Sequence, residues 1–355
     1  MVEIKKFYKN KKVLVTGATG FKGAWLCCWL NILGAKVFAV SNTNNKKGLF
    51  YQLKLYKIIK IKKCDIKNYN NLNIIIKKEK PSIIFHFAAQ TIISKSYNNP
   101  YDTFETNIRG TLNILEISRK SNFVKSIICV STDKCYENMK RVVRYKEGDR
   151  IGGDDPYSAS KSSAELVINA YRSSFFTKKK IGISSARSGN VIGGGDWAIN
   201  RLIPDCIKSL TKQKTIQIRN PGFNRPWQHV LEPLKGYLIL AMMQHVNPNK
   251  YAGAWNFGTK PNSLTNVKQI VEFIIKFWKT GKMKVNKQKK FYEQKNLQLD
   301  IKKAKKNLNW CPSYSIEKSV KITTDWYFQV IQMKKNPYLI TEKQIIDYMN
   351  ENSWN

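Results

Sequence analysis

The 355-residue chain predicts an α/β fold: a doubly wound parallel sheet followed by a smaller C-terminal α/β unit. Three observations carry this expectation. A glycine-spaced turn joins an apolar strand to an apolar helix near the start. Short apolar segments then alternate with helical patterns, as in a parallel sheet covered on both faces. Residues with chemistry to offer fall at the carboxyl ends of those segments, where such sheets bind ligands.

The elements follow in order. Residues 11–16 (KKVLVT) read as a short buried strand, and a helix runs from the glycine turn through Leu33. Between them lies Gly17-Ala18-Thr19-Gly20-Phe21-Lys22-Gly23, a G-x-x-G-x-x-G turn. Gly17 permits the tight turn, and Gly20 lets backbone approach a pyrophosphate at the positive helix N-terminus. Gly23 allows close packing of helix on strand. A glycine pattern alone is a weak signal; placed between strand and helix it points to nucleotide binding. Further strands are expected at 36–40, 58–61, 83–87, 126–130 and 181–185, with helical patterns between most of them, such as 103–120. Gly17, Asp65, Ala88-Ala89-Gln90 and Thr132-Asp133-Lys134 all sit at strand ends.

Tyr157 and Lys161 lie four apart in a helical stretch, so their side chains share one face. A free tyrosine, with a pKa of about 10, is a poor base near neutrality. A fixed ammonium beside it favours the phenolate and brings the pKa toward the working range. The Thr132 hydroxyl completes a trio around a substrate alcohol. Tyr-xxx-Lys by itself also fits a solvated helix face; the glycine turn and the strand-end motifs favour catalysis.

Longer motifs extend the pattern: TGATGFKGAWL (16–26), FHFAAQ (85–90), ETNIRGTLNILE (105–116), STDKCYEN (131–138) and GGDDPYSASKSSAELV (152–167). ARSGNVIGGGDW (186–197), RLIPD (201–205) and NPGFNRPWQHVLEPLKGY (220–237) complete it. On these residues the chain resembles the extended short-chain dehydrogenases/reductases, the NAD-dependent epimerase/dehydratase family. Within it, the FKG turn, DKCYEN and RPWQHVLEPL resemble the branch of CDP-glucose 4,6-dehydratases.

The resemblance implies a Rossmann-type domain over 1–187 that binds NAD, with 228–256 packing back on it. It implies a nucleotide-sugar-binding domain over 188–355. The implied activity is that of a lyase converting CDP-glucose to CDP-4-keto-6-deoxyglucose plus water by an internal hydride relay through NAD, in deoxysugar biosynthesis for cell-surface polysaccharide. Tyr157 takes the 4-hydroxyl proton, with Thr132 and Lys161 beside it. Asp133 is the candidate acid for the 6-hydroxyl, which requires a pKa raised well above about 3.9. Lys134 stands where dTDP-glucose dehydratases typically carry a glutamate base. It acts either as a neutral amine at C5, its pKa lowered by burial, or as a cation stabilising the enolate.

Cofactor contacts carry over to Gly17, Thr19, Gly20, Phe21, Lys22 and Gly23, to Asp65 and Ile66 at the adenine, and to Phe87, Ala88, Ala89 and Gln90. Tyr157 and Lys161 share in them, and Asn107 ties helix to sheet. Ser41-Asn42-Thr43 carry neither an acid nor an arginine, so NAD rather than NADP rests on the resemblance. Another nucleotide-sugar dehydratase or a 4-epimerase on the same fold is the nearest alternative; a non-catalytic binding module is more remote.

Arginine is scarce and absent after Arg225, yet Arg187, Arg201 and Arg225 fall inside these motifs and Arg219 borders one. A planar guanidinium suits a diphosphate better than lysine does. Arg225 is the expected diphosphate ligand, supported by Asn190 and Arg201, with Arg219 either toward the nucleotide or a surface residue at a strand end. His229 is expected to pack beside the site, and His86 and His245 to be structural.

A net charge of +38 ordinarily suggests nucleic acid or an anionic membrane. Here the lysines are scattered, and the basic runs at 177–180 and 284–290 lack the arginine and interleaved aromatics of a single-strand platform. Neither partner is expected. Seven cysteines form no C-x-x-C pair and no Cys/His metal spacing, which predicts reduced structural thiols, no metal and a cytoplasmic location. No apolar run approaches the roughly 20 residues of a membrane span, and the early strand leaves no place for a signal peptide. Helices at 99–120 and 156–177 match the pair that joins subunits in the resembled family, so a homodimer or homotetramer is expected. The segment from Tyr338 onward reads as a final helix without an assigned role.

Overall fold

The computed structural model describes residues 2–43, 45–139, 143–261, 263–286 and 297–352. Seven strands make the central sheet: β1 (Lys12–Thr16), β2 (Lys36–Ser41), β3 (Lys60–Lys63), β4 (Ile83–His86), β5 (Ser126–Val130), β6 (Gly182–Ser188) and β7 (Gly253–Phe257). All pair in parallel, in the order β7-β6-β5-β4-β1-β2-β3. The order turns at β1 and β4, so a crevice opens beyond their carboxyl ends. β4 and β6 are buried along their whole length, as a sheet covered on both faces demands.

Two strand expectations shift. β3 begins at Lys60, two residues later than 58–61, because Ile58 ends a 3₁₀ turn and is 52 % exposed. β3 is an edge strand, and its outward lysines keep that open edge from pairing further. β6 runs on to Ser188, beyond the expected 185, because β7 from the C-terminal half pairs along it, with Trp255 opposite Ala186.

The helices that position the site are α1 (Phe21–Ile32), α2 (Gly110–Arg119), α3 (Pro156–Tyr171), α4 (Leu202–Thr211), α5 (Leu231–Val246), α6 (Ile316–Ile331) and α7 (Pro337–Glu351). α1 is apolar all round and buried from Gly23 to Leu30, so it needs cover on the side away from the sheet. The final helix α7 supplies it. Trp29 meets the Tyr348 ring edge-on at 5.8 Å, and Tyr348 OH donates to Glu232 Oε2 of α5 at 2.7 Å. That gives the closing segment its role, up to residue 352; 353–355 lie outside the described residues, as does the basic run from 287 to 290.

The helix leading into α2 is continuous with Pro100–Phe104 but widens by one π turn at Glu105–Arg109. Such turns recur at functional sites; here it carries Asn107. All seven cysteines are free and six are buried. Among the described residues no helix is long and apolar enough to cross a membrane.

Candidate active site

A cleft of about 1270 Å³ runs past the ends of β1, β2, β4 and β5 and on between α4 and the strand Ile216–Ile218. Pockets for one drug-sized molecule measure about 300–1,000 Å³; this one has room for a dinucleotide and a second ligand end to end.

Its floor is the glycine turn. Gly17 lies at φ +68°, and a Cβ there would sit 2.6 Å from the Ala88 nitrogen. A Cβ at Gly23 would collide with the Gly17 carbonyl oxygen. Gly20 is the N-cap of α1, and no side chain caps the helix. Its first-turn amides are therefore left for an anion such as a pyrophosphate. Thr19 Oγ1 meets Ser41 Oγ at 2.5 Å and ties the turn to the end of β2. Phe21, Ile66, Phe87, Ala88, Ala89 and Gln90 line the same end.

The expected catalytic residues sit past β5. Thr132 caps a 3₁₀ turn, Asp133–Cys135: its hydroxyl accepts from the Lys134 amide at 3.3 Å and donates to Asp133 Oδ1 at 3.1 Å. Opposite, Asp155 caps α3 by accepting from the Ser158 amide at 3.0 Å. The first turns of α3 thus bring Tyr157 and Lys161 to the cleft wall, both buried except toward the cleft. Lys161 Nζ donates to the Val130 carbonyl at 3.0 Å.

Burial pushes the Tyr157 phenol up to about 12, against the lowering influence of the Thr132 hydroxyl. The expectation that Lys161 brings the phenol toward neutrality is not met by the protein alone. The ammonium is engaged by the Val130 carbonyl, and burial lowers its own hold on the proton. Burial raises the Asp133 carboxyl, while the Lys134 charge, the Thr132 hydroxyl and the Arg225 and Lys22 charges oppose that. Lys134 is half-buried and lines the cleft, and its charge acts on Asp133.

Lys22 reaches beyond the glycine turn. Its Nζ donates to Ser188 Oγ at 3.2 Å, which also receives the Tyr237 hydroxyl at 3.0 Å. Burial, with the Arg201 and Lys161 charges, lowers Lys22 to about 8, while Asp133 and Asp196 resist. Its ammonium therefore reaches the Ser188 and Asp133 end of the cleft as well as the turn.

Two expected contacts stand off the cleft. Asp65 folds onto its own loop: Oδ1 accepts from the Lys67 amide at 2.9 Å, and Oδ2 lies 3.8 Å from Lys67 Nζ. A short acid after a strand closes such a turn readily, and Ile66 alone of the pair lines the cleft. Asn107 is buried behind the wall. It accepts from the Gln90 amide at 2.8 Å and donates to the Gln90 carbonyl at 3.1 Å and to Ser160 Oγ at 2.8 Å. It positions the Gln90 loop rather than touching a ligand.

On the far side Asn190, Arg201, Arg219 and Arg225 all line the cleft. Arg201 Nη1 is held by Asp196 Oδ2 at 2.8 Å, and α6 braces that loop through Tyr327 OH on the Asp196 carbonyl at 2.6 Å. Arg187 is different: it is buried against Glu165 and does not line the cleft. His229 packs edge-on to Trp25 at 5.8 Å, and burial lowers it to about 3, so it stays neutral beside the site.

Ser188, Asp196, Tyr237 and Glu165 escaped the sequence reading. Asp196 stood in the open within the GGGDW motif. Glu165 lies four residues after Lys161, on the same helical face, and that spacing was the available signal.

Residues 14–323 match the family described as GDP-mannose 4,6 dehydratase. The chain is 37% identical to the CDP-glucose 4,6-dehydratase of Salmonella typhimurium over 353 residues, covering 98% of each. In structure it is similar to an epimerase from Methanothermobacter thermautotrophicus (TM-score 0.83, 22% identity, 94% of this chain and 96% of that one). It is also similar to the dTDP-glucose 4,6-dehydratase of Bacillus anthracis in complex with NAD (TM-score 0.76, 22% identity, 93% and 99%). These likenesses bear out the resemblance read from the motifs, and the doubly wound fold with it.

Proposed function

The chain belongs to the GDP-mannose 4,6 dehydratase family, and from that premise we propose that it converts CDP-glucose to CDP-4-keto-6-deoxyglucose and water with NAD as its resident cofactor. The observation that carries this reading is Asp133: a carboxyl raised by burial, next to Thr132 and facing the Tyr157 wall. A dehydratase needs a proton donor for the departing 6-hydroxyl; a 4-epimerase does not.

The glycine turn and the 87–90 loop fit a dinucleotide, since the close approach at Gly17 and the uncapped start of α1 are what a pyrophosphate requires. Bound NAD supplies reversible oxidation at C4 and the matching reduction at C6. Tyr157 takes the 4-hydroxyl proton while Thr132 orients the alcohol and Lys161 fixes the wall. The resulting ketone acidifies C5, where Lys134 acts. Asp133 protonates the 6-oxygen as it leaves. Arg225, with Asn190 and Arg201, holds the diphosphate. Residues 1–187 form the cofactor unit, with 228–256 packing back on it, and 188–355 the nucleotide-sugar unit.

We place the protein in the cytosol, as a homodimer or a pair of such dimers. Tyr101, Leu112 and Leu166 are exposed on the two helices expected to join subunits, and Leu166→Glu should shift sedimentation toward monomer. The central test is incubation with CDP-, dTDP-, UDP- and GDP-glucose. CDP-glucose should lose one water, and Tyr157→Phe should bind it without turnover. An unchanged product mass, or normal rates in Tyr157→Phe, refutes the reading.

A further inference from the structure

Past the expected catalytic residues the cleft continues to a wall that carries Arg219, the arginine expected toward the nucleotide. One side is the first two turns of α4, the other the strand Ile216–Ile218 and the residue after it. Leu202, Pro204, Ile216 and Ile218 give that end apolar lining. Two charged groups stand at its edge, Asp205 and Arg219.

Their state is informative. Asp205 makes no side-chain hydrogen bond among the described residues; its nearest cation, Lys208 Nζ, is 3.9 Å away, beyond hydrogen-bond reach. Its side chain is 44 % exposed, so the exposed pair with Lys208 is worth little. Burial raises the Asp205 carboxyl, and the Lys208 and Arg219 charges oppose that. Asp205 and Arg219 thus feel each other while both keep free polar heads at the cleft.

A carboxylate only accepts hydrogen bonds and a guanidinium only donates them. Cytosine presents an exocyclic N4 amine that donates, beside N3 and O2, which accept. Uracil presents O4 in place of the amine, an acceptor that a carboxylate repels. With the acceptor at ring position 4 and the donor fork at N3 and O2, such a pair matches the cytosine edge and mismatches uracil, whose O4 and N3–H reverse both. Resting on the proposed use of a nucleotide sugar, we infer that Asp205 and Arg219 read the base: Asp205 accepts from the cytosine amine, Arg219 donates to its ring acceptors, and Asp205 sets the preference for cytidine over uridine nucleotides.

Asp205 also lies in the first turn of α4, where an acid stabilises the helix whatever the ligand. The test therefore reads a ratio that helix stability does not move. CDP and UDP are titrated calorimetrically into the NAD-loaded wild type, Asp205→Asn and Asp205→Ala. The wild type should bind CDP at least tenfold more tightly than UDP. In Asp205→Asn that ratio should fall by about 10–100-fold, since an amide can turn its N–H toward O4. In Asp205→Ala it should fall through weaker CDP binding. Equal wild-type affinities, or a ratio unchanged in both variants, overturns the inference. Turnover of CDP-glucose is scored separately: its absence sinks the dehydratase reading and leaves the base ratio to stand or fall alone.

Discussion

Arg187→Met tests how the catalytic face is held. Tyr157, Lys161 and Glu165 recur every fourth residue on α3, so Glu165 extends the face that presents the phenol and the ammonium. Arg187 of β6 pins that extension. Its Nε and Nη2 donate to Glu165 Oε1 and Oε2 at 3.0 and 2.8 Å, a bidentate pair. Nη1 donates to Tyr136 OH at 2.8 Å and to the Glu147 carbonyl at 3.1 Å. Both side chains of the pair are no more than 5 % exposed. Removing one partner of a buried pair strands the other charge, at a cost of about 3–5 kcal/mol.

The sign of the pH dependence follows from the same contacts. Burial alone raises the Glu165 carboxyl; Arg187 overrides it, and the net shift is downward. In the wild type Glu165 thus contributes stability above its unfolded value of about 4.5, lost as pH falls through its lowered folded pKa. Without Arg187 the burial is opposed only by the Ser185 and Ser131 hydroxyls, and the folded pKa should move above the unfolded one. The variant's deficit should then grow as pH rises from about 5 to 8. Urea unfolding of the wild type, Arg187→Met, Glu165→Leu and the double variant at both pH values measures this. The double variant should recover most of the loss, because two apolar side chains leave no stranded charge. A single-variant deficit under about 1 kcal/mol, no pH dependence, or a double variant no better than the single one refutes the reasoning.

Asp133→Asn should cut turnover by about 10²–10⁴-fold while leaving the protein no less stable at pH 8. The wild-type carboxyl is raised by burial, so wild-type stability declines as pH rises through the window above its unfolded value; product assays and urea melts check both halves. Lys134→Met should impair water release more than the first oxidation, seen as a persistent 340 nm absorbance in single turnover; unaltered kinetics removes Lys134 from the mechanism. Gly17→Ala forces a Cβ to 2.6 Å from Ala88 N at φ +68° and should lose roughly 1–3 kcal/mol, along with the thermal stabilisation that NAD gives the wild type. Equal melting shifts with NAD would count against the glycine turn as the pyrophosphate site.

What the sequence made legible was local. The G-x-x-G-x-x-G turn and Tyr157-xxx-Lys161 keep their partners within one turn of backbone, and each lands on the cleft. The apolar cores of β1, β4 and β5 were legible because burial on both faces leaves few choices of residue. The register of β3 was not, since an edge strand of lysines around Ile61 carries almost no pattern. Nor was the direction of Asp65: its identity as an acid at a strand end says nothing of whether it turns to the ligand or back to Lys67. The role of α7 depends on Trp29 and Glu232, distant in sequence, and only packing joins them.

The arginines sharpen that lesson. In a chain where lysine dominates, Arg109 and Arg150 are exposed surface residues, but other arginines mark places where a point charge will not serve. Arg201, Arg219 and Arg225 answer that description at the cleft, but Arg187 answers it inside the core. There two parallel bonds to Glu165 and a Tyr136 ring 4.8 Å beneath the guanidinium need a planar, weakly hydrated cation. Scarcity therefore signals the geometry of the demand rather than its purpose. Ligand and scaffold can be told apart only by asking what the guanidinium faces: Arg201, Arg219 and Arg225 line the cleft, Arg201 with Asp196 holding its Nη1, whereas Arg187 meets a buried carboxylate and a ring and no cleft.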